Sequence, residues 1–238
     1  MVTEQINDLF NRSPRISLRR QRKSAVDFQN ALQFTRAVEF DVRLTRDKQV
    51  LIFHDEDFYR IARDSRRVKS LDFAQIQQID FFLNKPDFTP LLFDDFMEKF
   101  GDDYQLINVE IKPDQYTLEE EKIIFNKIQS WKHLKAQIIV SSFDFDLQKK
   151  IIKLPSRFKK GFLFNRFSDL NKMSWSDFDY LHVPFKLLNS PRYIKTFKEI
   201  NRPLIGWTYQ NQSQANRSKQ IYQQQMYGYI SDNPELKL

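Results

Sequence analysis

The chain has 238 residues, a formal net charge of +7 and no cysteine. Its length suits one large α/β domain or two small ones, and the absence of thiols excludes a disulfide framework and a thiolate zinc site. No apolar run approaches the roughly 20 residues of a membrane span. The polar first residues lack the apolar core of a signal peptide, so we expect a cytoplasmic protein. The charge favours anionic partners, either phosphorylated substrates or acidic lipid surfaces, and we expect no dedicated nucleic-acid surface.

Hydrophobic periodicity predicts strands and helices that alternate along most of the chain. Strands are predicted near residues 16, 40, 108, 138, 162, 182, 206 and 230. Helices are predicted over 25–35, 71–79, 93–100, 118–131, 144–154, 174–178, 191–200 and 212–227, and residues 57–69 are expected to form a polar, basic surface segment. Eight strands alternating with helices favour an α/β fold, a closed parallel (β/α)8 TIM barrel that spans residues 1–238 as a single domain. A doubly wound open sheet is the alternative.

The stretch from Val38 to Asp55 combines a strand pattern with side chains that suit a catalytic or binding site. Alternation places Glu39 and Asp41 side by side on one face of the first strand. A turn and a return strand then bring His54 back beside them. One interpretation is a half-exposed hairpin whose acids lie in water, and the other is an active site.

The positions of the charged residues in the predicted barrel favour the active site. Functional side chains of such barrels lie at the carboxyl ends of strands, where Glu39, Asp41, Glu110 and Lys112 are all expected. Three carboxylates without thiols form a hard oxygen site that prefers Mg²⁺ or Ca²⁺. Lys112, and Arg19 from the first strand, would bind further anionic oxygens. A divalent cation beside basic side chains suits the chemistry of a phosphate ester.

Proton transfer at such a site requires a group that titrates near neutral pH, and histidine is the usual choice. His54 is the candidate because it ends the return strand beside the two acids. His182 lies near the end of a strand and is either a cleft residue or a structural one. His133 follows a helix and is expected in solvent.

Several segments resemble, in order along the chain, the motifs of the glycerophosphodiester phosphodiesterase family. They are Val38–Asp47 with Val50–Asp55, Thr89–Leu91, Asn108–Lys112, Ser141–Asp144, Trp207–Thr208 and Tyr229–Pro234. The resemblance implies a (β/α)8 barrel that uses a divalent cation to hydrolyse a small-molecule glycerophosphodiester to glycerol 3-phosphate and an alcohol. It also implies roles for individual residues. Glu39, Asp41 and Glu110 would hold the metal, and His54 would be one of two catalytic histidines. Lys112 and Arg19 would contact phosphate, and Trp207 would line either the apolar side of the cleft or the barrel core.

One motif of the family is altered in this sequence. The family's first catalytic histidine opens a His-Arg-Gly motif, and the corresponding residues here are Leu18, Arg19 and Arg20. Leucine cannot transfer a proton, and loss of one general acid or base typically costs about 10²- to 10⁴-fold in rate. Two hypotheses follow. The protein is either a metal-dependent phosphodiesterase with impaired turnover or a catalytically silent family member that binds a phosphorylated ligand or an acidic partner.

Overall fold

A computed structural model describes residues 15–17, 24–233 and Leu236, with side chains described from Ser24 onward. The strands are β1 (Arg15–Ser17), β2 (Ala37–Leu44), β3 (Val50–Ile52), β4 (Asp57–Phe58), β5 (Asp64–Arg67), β6 (Leu106–Ile111), β7 (Gln137–Ser142), β8 (Phe158–Leu163), β9 (Tyr180–Pro184), β10 (Leu204–Tyr209) and β11 (Met226–Ser231). The helices are α1 (Ala25–Ala31), α2 (Tyr59–Ala62), α3 (Phe73–Gln77), α4 (Asp80–Asn84), α5 (Phe93–Phe100), α6 (Leu118–Ser130), α7 (Phe145–Ile151), α8 (Phe185–Leu188), α9 (Pro191–Ile200) and α10 (Gln212–Tyr222). Among these helices, none combines the length and the apolar character needed to cross a membrane.

Eight of the described strands close into a parallel barrel. Their order around the barrel is β1, β2, β6, β7, β8, β9, β10 and β11, and the ring closes because β1 pairs with both β2 and β11. Strand β3 pairs antiparallel with the end of β2. The predicted (β/α)8 barrel is therefore confirmed, and the doubly wound open sheet is wrong. That residues 1–238 form a single domain stays a prediction.

The predicted strand positions all fall within barrel strands, but the end of the chain differs in detail. The helix predicted over 212–227 ends at Tyr222, and a 3₁₀ turn over Gln223–Gln225 leads directly into β11. Gly228, the residue directly after the predicted helix, lies inside that strand and pairs with Ile205. Strand pairing at the barrel wall therefore overrides the local helical periodicity.

Residues 57–69 form more than a surface segment, because they contain β4, α2 and β5. Strands β4 and β5 pair antiparallel, apart from the barrel sheet. Phe58 and Val68 are fully buried, in a small apolar core that they share with Ile76 and Phe82 from the following helices. The segment after β3 is thus a packed excursion that stands beside the barrel.

Phenylalanine rings fill the layer between the barrel wall and the helices next to β2. Phe40 points outward from β2, and its ring centroid lies 4.7 Å from that of Phe96 on α5. Phe28 on α1 lies 4.5 Å from the same ring, and all three side chains are fully buried. Aromatic pairs of this kind contribute about 0.5–1.5 kcal/mol beyond their burial. This packing fixes the outer face of β2, the strand that carries two of the acids on its other face.

The barrel interior is apolar toward the amino ends of the strands. A cluster there contains Ala37, Leu106, Ile139, Tyr180, Ile205 and Ile230. Gln137 donates hydrogen bonds to the hydroxyls of Tyr180 (2.8 Å) and Tyr227 (3.2 Å), which satisfies these polar groups at that end. The charged interior residues of β2 and β6 lie farther along the strands, toward their carboxyl ends.

Glu120 joins three separate segments around the barrel. It lies in the first turn of α6, where its side chain accepts a hydrogen bond from the backbone N–H of Thr117 and its own N–H donates to the Thr117 hydroxyl. Its carboxylate also pairs with Lys48 of the β2–β3 turn at 2.7 Å and with Lys69 of the excursion at 3.1 Å. Burial by itself raises the pKa of Glu120, but the hydrogen bonds from Lys48, Thr117 and Lys69 outweigh it and hold the pKa at about 2.

We expect Glu120→Gln to lower the free energy of unfolding at pH 7 by about 1–2 kcal/mol, because glutamine keeps the cap but loses the charge that pairs with two lysines. The folded-state pKa lies below the ordinary value of 4.5, so ionised Glu120 stabilises the fold above about pH 4.5. That stabilisation falls away as the pH drops toward 2. Urea unfolding of both proteins at pH 7 and pH 3 measures the difference.

Glu119→Gln is the matched control, since Glu119 is the exposed neighbour on the same turn. Its substitution should change stability by no more than about 0.5 kcal/mol. Equal effects of the two substitutions, or a Glu120→Gln effect that does not shrink at pH 3, would contradict the role of the buried charge.

Candidate active site at the carboxyl ends of the barrel strands

Glu39, Asp41 and Glu110 form a compact cluster inside the barrel. The parallel register of β2 and β6 pairs Asp41 with Glu110 and places Glu39 beside Asn108. One carboxylate oxygen from each of the three acids lies within 4.8 Å of the others. The three residues are at most 2% exposed, so the interpretation of a half-exposed hairpin with solvated acids is wrong.

The charge of this cluster suits a divalent cation. The ammonium of Lys112 lies 2.6 Å from Glu110 Oε1 and 3.2 Å from Asp41 Oδ1. Three carboxylates and one ammonium leave two net negative charges in a buried volume, where uncompensated charge is costly. Carboxylate oxygens are also the ligands that Mg²⁺ and Ca²⁺ prefer. The donor set and its charge therefore fit a hard divalent metal ion.

His54 follows β3, and a backbone hydrogen bond of the preceding residue ties this segment to the strand that carries Asp41. The N–H of Phe53 donates to the carbonyl of Asp41 at 2.9 Å, which fixes the chain one residue before His54. The imidazole Nδ1 lies 2.7 Å from Asp55 Oδ1, and the side chain is 41% exposed. A carboxylate only accepts hydrogen bonds, so this contact puts the proton of a neutral imidazole on Nδ1 and leaves Nε2 as its acceptor nitrogen.

Arg43 holds the backbone of His54 against the segment after β6. Its Nε donates to the His54 carbonyl at 3.0 Å, while Nη1 lies 3.4 Å from both the Pro113 carbonyl and Asp114 Oδ2. The side chains of Arg43 and Asp114 are only 8% and 2% exposed. Asp114 also accepts from Arg67 at 2.9 Å. Arg43 thereby connects the segment that carries His54 to the one that carries Lys112.

A cleft of about 930 Å³ opens at this end of the barrel. Its walls are formed by His54, Asp55, Arg60, Trp207, Thr208, Tyr209, Gln210, Asp232 and Asn233. Trp207 is partly exposed in this wall, and its ring meets Phe143 edge to face at 5.4 Å. The Lys112 ammonium lies 5.7 Å from the centre of the Phe143 ring. Trp207 also packs on the apolar barrel cluster, so it contributes both to the cleft and to the core.

The remaining histidines do not line the described cleft. His182 is fully buried, and its Nε2 would lie 2.7 Å from a Cβ placed on Gly161. Glycine at 161 thus leaves the space that the buried imidazole occupies, which favours the structural interpretation of His182. His133 is exposed beside Trp131, at a ring distance of 5.4 Å.

The altered motif at Leu18, Arg19 and Arg20 lies outside the described residues. The last described residue before it is Ser17, whose Cα partners are Val38 and Ser231 in the neighbouring strands. The roles assigned to Leu18 and Arg19 therefore stay predictions.

Known proteins are similar to this chain in sequence and in fold. Residues 24–236 match the model of the glycerophosphoryl diester phosphodiesterase family. The chain belongs to this family. The resemblance of its motifs to those of the glycerophosphodiester phosphodiesterases is thereby confirmed.

Individual family relatives are similar over most of the chain. An uncharacterised protein of Mycoplasma genitalium is 32% identical over 186 residues, which cover 74% of this chain and 75% of the relative. A glycerophosphodiester phosphodiesterase of Caldanaerobacter subterraneus subsp. tengcongensis is 26% identical over 206 residues, or 83% and 82% of the two chains. A phosphodiesterase structure from Oleispira antarctica, solved with sn-glycerol-3-phosphate, has a TM-score of 0.74 at 16% identity and covers 95% of this chain and 96% of that one. The structural likeness supports the shared barrel fold.

Three residues near His54 were not among the predicted site residues. Arg43 shares a strand face with Glu39 and Asp41, so the alternation that selected the acids could have selected it as well. Asp55 follows His54 directly. Arg60 has no signal in the sequence pattern, because only the turn from β4 into α2 brings it beside Asp55.

We expect Arg43→Met to lower the free energy of unfolding by about 2 kcal/mol, because two backbone carbonyls lose this donor and the Asp114 carboxylate keeps only Arg67 as its cationic side-chain partner. Urea unfolding measures this loss. Arg66→Met is the matched control, since Arg66 pairs with Asp64 on the surface and should change stability by at most about 0.5 kcal/mol. If the two substitutions have equal effects, the hydrogen bonds by which Arg43 joins the His54 and Lys112 segments do not stabilise the fold.

Proposed function

We propose that this protein is a metal-dependent phosphodiesterase that hydrolyses glycerophosphodiesters to glycerol 3-phosphate and an alcohol. The observation that carries the proposal is the buried cluster of Glu39, Asp41, Glu110 and Lys112 beside His54 in a member of this family. The Oleispira antarctica relative, which binds sn-glycerol-3-phosphate as its product, supports the choice of substrate.

Each charged side chain has a definite part in this proposal. Glu39, Asp41 and Glu110 hold Mg²⁺ or Ca²⁺, and a bound cation of this kind polarises phosphoryl oxygens and stabilises their negative charge. Lys112 stays paired with the acids and presents its ammonium to an anionic oxygen of the substrate. Arg19, as predicted from the motif, adds a second cation.

His54 exchanges protons with the reacting oxygens at Nε2. Asp55 holds the Nδ1 proton and stabilises the imidazolium that forms when Nε2 takes up a proton. Trp207 forms the apolar wall along which the carbon chain of the substrate lies. The cleft places His54 and Trp207 in one continuous surface, which supports binding of a single small molecule.

Turnover of natural substrates is expected to be slow because Leu18 replaces a proton-transfer group. An alkoxide leaving group needs a proton, whereas an aryl oxide of low pKa departs with less help. A catalytically silent protein that binds a phosphorylated ligand is the second candidate, and the same substitution favours it. A cytoplasmic location belongs to the same proposal. So does peripheral contact with anionic lipid, which the net charge of +7 supports.

We expect an aryl phosphodiester to be hydrolysed only with Mg²⁺ or Ca²⁺ present, and about 10²- to 10⁴-fold faster than a glycerophosphodiester with an alkyl leaving group. Glu110→Gln should reduce the rate by about 10²-fold or more, because a metal ligand is lost. Release of the aryl alcohol and of glycerol phosphate measures the two reactions.

Glu119→Gln, an exposed acid on α6, is the control for the removal of one carboxylate. It should leave both rates unchanged. If the metal-loaded protein releases neither product above a buffer control, the enzyme is excluded, and ligand-dependent thermal stabilisation by glycerol phosphate then supports the silent binder.

We expect Leu18→His to raise the rate with the alkyl substrate by about 10²- to 10⁴-fold, because it restores the second proton-transfer group. The gain should be smaller with the aryl substrate, whose leaving group needs less protonation. Leu18→Asn is the control, since asparagine is polar but does not titrate. A gain shared by both variants, or absent in both, contradicts the assignment of slow turnover to the missing histidine.

A further inference from the structure

A continuous chain of hydrogen bonds runs from the excursion to the imidazole of His54. Arg60, on helix α2, donates from Nε to Asp55 Oδ2 at 2.6 Å. The other carboxylate oxygen, Asp55 Oδ1, lies 2.7 Å from His54 Nδ1. All three side chains line the cleft. The side chain of Asp55 is 20% exposed, whereas those of His54 and Arg60 are 41% and 53% exposed.

This geometry restrains Asp55 at both of its oxygens. A carboxylate held only by His54 can rotate about its terminal torsion, which is broad in aspartate. The bond from Arg60 removes that freedom and favours the ionised form. Burial alone raises the pKa of Asp55, but the hydrogen bonds from His54 and Arg60 outweigh it and hold the pKa below its ordinary value. An ionised, fixed Asp55 keeps the proton on Nδ1 of the neutral imidazole.

We propose that Arg60 is a positioning residue for His54, which acts through Asp55 to fix the orientation and the tautomer of the imidazole. Arg60 is not among the predicted site residues. The inference deepens the proposed function, because a ring with Nε2 free of a proton is ready to accept one from the reacting oxygen.

Its place in the cleft wall gives Arg60 one competing role, as a cation that binds the substrate phosphate directly. The contact with Asp55 favours positioning, because one face of the guanidinium fork is already engaged by a carboxylate. The two roles differ in kinetics. Loss of a binding contact raises KM, whereas loss of a positioning contact lowers kcat.

Arg60→Met separates these roles. With an aryl phosphodiester and Mg²⁺ we expect kcat to fall about 10- to 100-fold with KM within about twofold, as for the loss of other partners that orient a functional histidine. Arg60→Lys should recover part of the loss, because an ammonium keeps the charge beside Asp55 but not the planar geometry. Arg63→Met is the control, since the Arg63 guanidinium packs over the ring of Tyr59 at 5.4 Å, and it should leave both constants unchanged.

A second measurement does not depend on turnover. The chain has three histidines, so the ring-nitrogen NMR signals of His54 are assigned by their loss in His54→Gln. At alkaline pH the wild type should show Nδ1 protonated and Nε2 bare. Arg60→Met should shift the ring toward the opposite tautomer or a mixture, and Arg63→Met should not.

An unchanged His54 spectrum in Arg60→Met overturns the proposal, as does a rise in KM at constant kcat. If the wild type has no activity, the proposed function fails by itself, and the spectrum alone decides whether Arg60 positions His54. A change of tautomer in a silent protein would still show the positioning contact.

Discussion

The burial of three carboxylates beside one ammonium, inside a barrel whose other end is apolar, is the constraint on which the site depends. Glu39, Asp41 and Glu110 are brought together because β2 and β6 are parallel neighbours in register. Lys112 compensates part of their charge at hydrogen-bond distance. A cluster of this charge is stable in a buried place only with further positive charge nearby. The same charge that makes the cluster costly to bury also suits it to a divalent cation.

The histidine side of the candidate site is built differently, from contacts that reach it from outside the barrel. Strand β3 returns along β2 and delivers His54 to the edge of the acid cluster. Arg43 then fixes its carbonyl, and Asp55 with Arg60 fixes its ring. The acid cluster therefore depends on the barrel, whereas the histidine side depends on the packed excursion that follows β3.

Sequence patterns predict the structure best where a single hydrophobic period, that of a strand or of a helix, runs through a segment. The alternation in β2 selected Glu39 and Asp41 for one face, and both acids lie in the interior cluster. Helix ends follow the local period less closely, since α10 ends at Tyr222 and, after a 3₁₀ turn, the chain pairs with β10 from Met226 onward. The prediction of a surface segment over residues 57–69 misses a small core, because Phe58 and Val68 are buried by later residues that follow at no regular spacing.

The sequence by itself determined the barrel class, the family and the choice of acids, histidine and lysine as candidate site residues, because each depends on local periodicity or on a contiguous motif. Only the tertiary structure decided which of these groups meet. Strand register sets the spacing of the carboxylates, and contacts between distant segments bring Arg43 to Asp114 and Arg60 to Asp55. It also placed His182 in the core rather than the cleft. Distances across a closed barrel depend on how strands pair, and no local pattern encodes that pairing.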